Sequence, residues 1–148
     1  MNKPTAQAAA VPAPQAGLMA EFAAAVLAAA YATAIQGPAL HAANPVQIIK
    51  ATAYNACNMA EAILQARQHL LRAWPALSPE QVHRLDRFAL QAVEPALALL
   101  KADPNLQAIT TDPDPAATPR ALGAYAYQLA YMLHRVLEAS PATVEGSA

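Results

Sequence analysis

Cysteine, glycine and charge are all scarce in this chain, and each scarcity closes off chemistry. The lone cysteine, Cys57, excludes an intrachain disulfide and any metal site built from several thiolates. Four glycines are too few for a phosphate-cradling loop or a dinucleotide fingerprint, and no GxSxG elbow is present. Charged residues make up 13% of the chain, about half the usual share. A surface so poor in charge is either small or covered by something else, which is the first pointer to a partner. Lysine and arginine are scattered from Lys3 to Arg135, with no basic run to neutralise a row of phosphates, so nucleic acid is not an expected partner. The formal net charge is -1.

What the chain has instead is alanine, 41 of its 148 residues. Alanine is the strongest helix former, and β-branched residues are thin, so every long segment free of proline leans helical. Alanine also buries little area. Helices made from it gain by close backbone approach rather than by large interlocking side chains. The same bias is typical of GC-rich bacterial or phage genomes.

The longest helical pattern runs from Asn44 to Trp74. Asn44 has the form of a cap and Pro45 of a first helical residue, while Trp74-Pro75 closes the stretch. One face reads Val46, Ile49, Ala53, Ala56, Ala60, Ile63, Arg67, Leu70, Trp74, and another reads Gln47, Lys50, Tyr54, Asn58, Glu61, Gln65, Gln68, Arg72. The first is the expected dry face, with Cys57 as a small buried hydrophobe beside it. Its middle is small, suited to close approach by another helix. Ser78-Pro79-Glu80-Gln81 repeats the starting device with a capping box, and Thr118-Pro119 reads as a cap and first-turn proline.

These signals predict an all-α, four-helix bundle-like single domain over 17–139, with helices at about 18–36, 45–74, 79–101 and 119–139. The third is expected to kink near Pro95, which lacks a backbone N–H and disfavours helical geometry at Glu94. Short connections make neighbouring helices antiparallel. Residues 1–16 are expected to form a flexible arm and 140–148 a flexible tail. Residues 102–117 hold three aspartates and three prolines in a long solvated connector whose spacing fits no calcium loop.

Between Glu21 and Lys50 no charged residue occurs. A membrane span is disfavoured because the run is mostly alanine and Glu21 lies within its first turns. Ala32-Thr33-Ala34 has the form of a leader cleavage site, so export with cleavage after Ala34 is the alternative to the expected cytoplasmic residence. A buried helix in a bundle accounts for the run best.

No catalytic constellation emerges. The four histidines, His41, His69, His83 and His134, form no i,i+4 pair and no HExxH motif. Each reads as a surface or boundary residue, and neither a metal nor a cofactor is expected. The acids fall on wet faces or in loops, so the reading leans away from an enzyme. On the last helix, Leu122, Ala126, Leu129, Leu133 and Val136 are expected to face inward, with Gly123 allowing close contact. Tyr127 and Tyr131, with Arg135 one turn on, form a stripe of residue types enriched where partners dock. Asn58 and Ala60 on the long helix complete the candidate interface.

The Ala51-Thr52-Ala53 run, Asn58 and Ala66-Arg67-Gln68 resemble, in composition alone, the alanine-, asparagine- and glutamine-rich subunits of bacterial refractile bodies. The resemblance covers one short helical stretch, lacks the glycines of those subunits, and implies a self-assembling polymer. Low charge, a nearly all-apolar first helix and the absence of a catalytic motif make the expectation a non-enzymatic helical interaction or self-assembly protein, either a homo-oligomer or bound to a protein partner. The alternatives are a small-ligand or haem-binding bundle and an exported or membrane-associated helical protein.

Overall fold

The computed structural model describes residues 13–29 and 44–139. Among them are six helices and no strand: α1 (Ala13–Ala28), α2 (Pro45–Ala73), α3 (Pro79–Gln91), α4 (Val93–Lys101), α5 (Leu106–Thr110) and α6 (Ala117–Ala139). The all-α bundle read from the sequence is the observed fold. Residues 1–12, 30–43 and 140–148 lie outside the described residues. The tail, most of the arm, the first helix beyond residue 29, His41 and the cleavage motif fall there. The first helix starts earlier than the expected 18, at Ala13; Pro14 sits in its first turn, where a missing N–H breaks no intrahelical bond. No described helix is long and apolar enough to cross a membrane.

Local signals set most boundaries. The Asn44 side chain accepts the backbone N–H of Gln47 at 2.8 Å, and α2 ends where Trp74 turns extended ahead of Pro75. Ser78 and Gln81 form the full capping box of α3, Gln81 N–H donating to Ser78 Oγ at 3.1 Å and Ser78 N–H to Gln81 Oε1 at 2.8 Å. The expected kink near Pro95 is a one-residue break at Ala92, with φ -89° and ψ 0°. Pro95 cannot donate to the carbonyl of Gln91 and its ring crowds that group. The dry face crosses the break in phase, from Leu85 and Ala89 to Val93, Ala96 and Leu100, all buried.

The connector is less loose than expected. It contains α5, and each aspartate folds the backbone locally: Asp103 accepts Asn105 N–H, Asp112 accepts Asp114 N–H, and Asp114 accepts Ala116 N–H. Asp103 also takes the Tyr125 hydroxyl, which ties the connector to α6. As a result α6 begins at Ala117, and Thr118-Pro119 lie inside its first turn rather than serving as cap and first residue. Pro119 then occupies the third helical position, whose N–H has no intrahelical acceptor in any case.

α2 and α6 form the centre of the core. A Cβ placed on Gly123 would lie 2.8 Å from Ile63 Cα and 3.2 Å from Ala66 Cβ, so the helices touch there backbone to backbone. Further along, the Trp74 and Tyr131 rings stack at 4.2 Å and 8°. Residue numbers rise together along this contact, so α2 and α6 run parallel. α3 and α4 run antiparallel to α6: Arg84 meets Glu138, Phe88 and Leu133 share one groove, and Asp103 meets Tyr125. α1 adds Leu18, Phe22 and Val26, one buried residue per turn, to the same core.

The close approach at Gly123 also fixes which side of α6 faces inward. The buried line is Leu122, Gly123, Ala126, Tyr127, Ala130 and His134, whereas Leu133 and Val136, expected inside, are exposed. On α2 the buried set is Ala56 to Arg67; Val46 and Ile49, expected on the dry face, and Cys57, expected to be buried, are exposed. α2 and α6 are staggered: Thr118 and Pro119 sit beside Met59 and Ala62, so α2 projects past α6 at one end and α6 past α2 at the other.

Candidate functional site

The most tightly determined polar cluster lies inside. Arg67 of α2 donates to Asp86 of α3 through Nε to Oδ1 at 2.8 Å and Nη2 to Oδ2 at 3.2 Å, a bidentate pair. The Tyr127 hydroxyl donates to Asp86 Oδ1 at 2.6 Å. Burial works against the charge on Arg67, but the hydrogen bonds and negative charge of Asp86 outweigh it and raise the proton affinity of the guanidinium. Burial, then the charge of Asp86, push the Tyr127 hydroxyl far above its ordinary range. The cluster forms the floor of a groove of about 790 Å³ between α1 and α3, walled by Leu18, Leu77 and Val82 with the Glu21–Arg87 ion pair at its rim. Arg67 and Asp86 are each other's counter-ions, and the cluster joins three helices; Arg87 Nε, in the same groove, is buried without a hydrogen-bond partner.

This placement corrects the tyrosine stripe. Tyr127 is fully buried and serves the Asp86 network, so it is not a docking residue. Ala60 is likewise buried within the chain. Tyr131 is half-buried under Trp74, and Arg135 stands exposed over its ring, 5.8 Å from the centroid. Asn58 is exposed on α2, some distance from them in the fold. The five candidates therefore do not converge on one surface. Arg84 pairs with Glu138 across helices.

Sequence reasoning missed Asp86. A signal existed: Arg67 falls on the apolar face of α2, and Asp86 falls beside Leu85 and Ala89 on that of α3. Two opposite charges on two dry faces have each other as the natural partner. His134, expected at the surface or its boundary, is 3% exposed, and its Nδ1 has no hydrogen-bond partner. Glu80 and His83 stand one turn apart on the open side of α3, but no group of three His, Cys, Asp or Glu that could hold a metal ion occurs among the described residues.

The surface itself is uneven. Along the projecting start of α2, Val46 is 65%, Ile49 69% and Tyr54 68% exposed. Beside this segment, a groove of about 640 Å³ runs between Asn55–Gln65 and the connector, rimmed by Asn58, Glu61, Gln65, Thr110 and Thr118. At the opposite end, the projecting part of α6 exposes Met132, Leu133 and Val136. Most of the large exposed apolar side chains among the described residues thus lie on the two projecting helix segments, with Leu27 and Leu99 elsewhere.

No protein-family model, curated protein or solved structure matches this chain.

Proposed function

We propose that the chain is a non-enzymatic helical docking protein whose contact surface is the projecting first part of α2. The observation that carries this reading is the exposure of Ile49. It lies on the same helical face as Ala56, Ala60 and Ile63, which are buried, yet it stands in solvent with Val46 and Tyr54 nearby. A helix that carries its core-type face beyond its cover is suited to being covered by a partner, in the helix-to-groove manner. Asn58 and the polar residues at the rim of the groove beside it supply the hydrogen-bonding rim that such interfaces use.

The test is light scattering over a range of concentrations together with capture of partners on immobilised chain. Replacing Val46, Ile49 and Tyr54 by serine is expected to abolish association while the melting temperature stays nearly constant. A strictly monomeric chain that captures nothing would sink the reading. The second reading, a small-ligand bundle, rests on the groove over Arg67 and Asp86. Native mass spectrometry of the purified chain separates the two, since a bound small molecule adds a fixed mass below that of a second protein.

A further inference from the structure

We infer that the partner on α2 is a second copy of this chain, laid antiparallel along the face Val46, Lys50, Tyr54, Cys57, Glu61; the inference rests on the docking reading above. These five residues are spaced by fours and a three, so they share one side of the helix, and all five are exposed. This side adjoins the core-type face on which Ile49 lies, so pairing here leaves the bundle intact and sets Ile49 at the flank of the seam. Lys50 and Glu61, near its two ends, take part in no ion pair among the described residues.

The spacing is self-complementary. A two-fold axis passing between Asn55 and Ala56 brings Lys50 opposite Glu61 of the other copy and Tyr54 opposite Cys57 of the other copy, each contact made twice. A parallel pair would set Lys50 against Lys50 and Glu61 against Glu61, so charge selects the antiparallel arrangement. Ala53 and Cys57 are small and lie at the seam, allowing the axes to approach to about 8–10 Å. Each Tyr54 ring then covers a Cys57 thiol, a favourable sulfur–aromatic contact. Val46 falls opposite Gln65, at the rim of the groove between α2 and the connector. A foreign partner would have no reason to need Lys50 and Glu61 placed symmetrically about the Tyr54–Cys57 pair.

Charge reversal tests the register. Light scattering of the intact chain should show a dimer, and alkylation of Cys57 should slow as concentration rises. Lys50→Glu and Glu61→Lys should each weaken self-association by about tenfold or more, because each then faces like charge twice. Mixing the two single variants should give a heterodimer, since one now presents only acids and the other only bases. The double variant K50E/E61K should self-associate like the parent. Both sites are exposed, and matching circular dichroism melts check that the variants fold. A monomer at every concentration overturns the inference, as does self-association that ignores both charge reversals. If the triple serine variant still abolishes association in that second case, the docking reading survives and only the symmetric register fails. If it changes nothing, the docking reading fails as well.

Discussion

Residues 56–67 of α2 bury Ala56, Met59, Ala60, Ile63 and Arg67, while residues 45–54 of the same helix leave Val46, Ile49 and Tyr54 in solvent. The two segments are equally helical, and both carry apolar side chains. The difference lies in what stands opposite. The inner segment faces the backbone of α6 at Gly123 and the carboxylate of Asp86 on α3. The outer segment extends past the start of α6. Helix formation and burial are thus separable within one element. The first follows from local propensity and caps, and the second from the stagger of neighbouring helices.

Substitutions can break or sharpen that contrast. The largest loss is expected from Asp86→Ala, which strands the Arg67 charge in the interior. Breaking a buried pair from one side costs about 3–5 kcal/mol, read as a drop in the urea midpoint. Replacing both partners by apolar residues of similar volume should cost far less, which would show that the penalty belongs to the unpaired charge. Gly123→Ala comes next. Its added Cβ meets the Ile63 backbone, an overpacking cost of about 1–3 kcal/mol, against which the better helix propensity of alanine returns up to about 1. A melting temperature that rises would contradict the close contact.

Tyr127→Phe should lose about 1 kcal/mol at neutral pH. It also carries a pH signature. The folded-state proton affinity of this hydroxyl lies above its unfolded value near 10.0. Its contribution is therefore intact below that pH and lost as pH rises beyond it. The phenylalanine variant should lose less further stability between neutral and strongly alkaline conditions than the parent does. By contrast, Ile49→Ser on the outer segment should move stability by less than about 0.5 kcal/mol. A loss comparable to that at Gly123 would mean that the outer segment is covered in the free chain. The smallest effect belongs to Glu21, whose carboxyl is held below its ordinary range chiefly by the hydrogen bond from Arg87. That contribution is present above the unfolded value and disappears as pH falls through the folded one, so Arg87→Gln should slightly flatten the acid limb of a stability–pH curve.

Much of the fold was legible because the punctuation is local. Asn44-Pro45, Trp74-Pro75 and the Ser78–Gln81 box each act within one turn, and each stands where the sequence placed it. Gly123 was legible as a contact point because only a residue without a side chain lets two backbones meet. The rotation of α6 was not. Tyr127 carries a hydroxyl, and a sequence alone puts such a group toward water. Its burial depends on Asp86, forty-one positions earlier, waiting inside to accept it. The candidate surface was the least legible. Asn58 remains exposed, but Tyr127 and Ala60 are spent within the chain, and Tyr131 with Arg135 lies toward the other end. Cys57 and Val46 were misplaced for one reason: periodicity tells which residues share a side, and only the neighbours decide whether that side is covered.

The parallel run of α2 and α6 has a consequence for how the chain is made. A parallel pair cannot zip up from a tight turn; the loop from residue 64 to residue 122 must close before Ile63 meets Gly123. During synthesis, α2 is complete long before α6 leaves the ribosome. Until then the side of its inner segment that faces α6 stays open, and Arg67 can meet Asp86 before Tyr127 arrives to complete the network. The nascent chain therefore passes through an interval in which α1 and α3 can already cover part of α2 while the side that Gly123 will meet is still open, and the emergence of α6 completes the buried part.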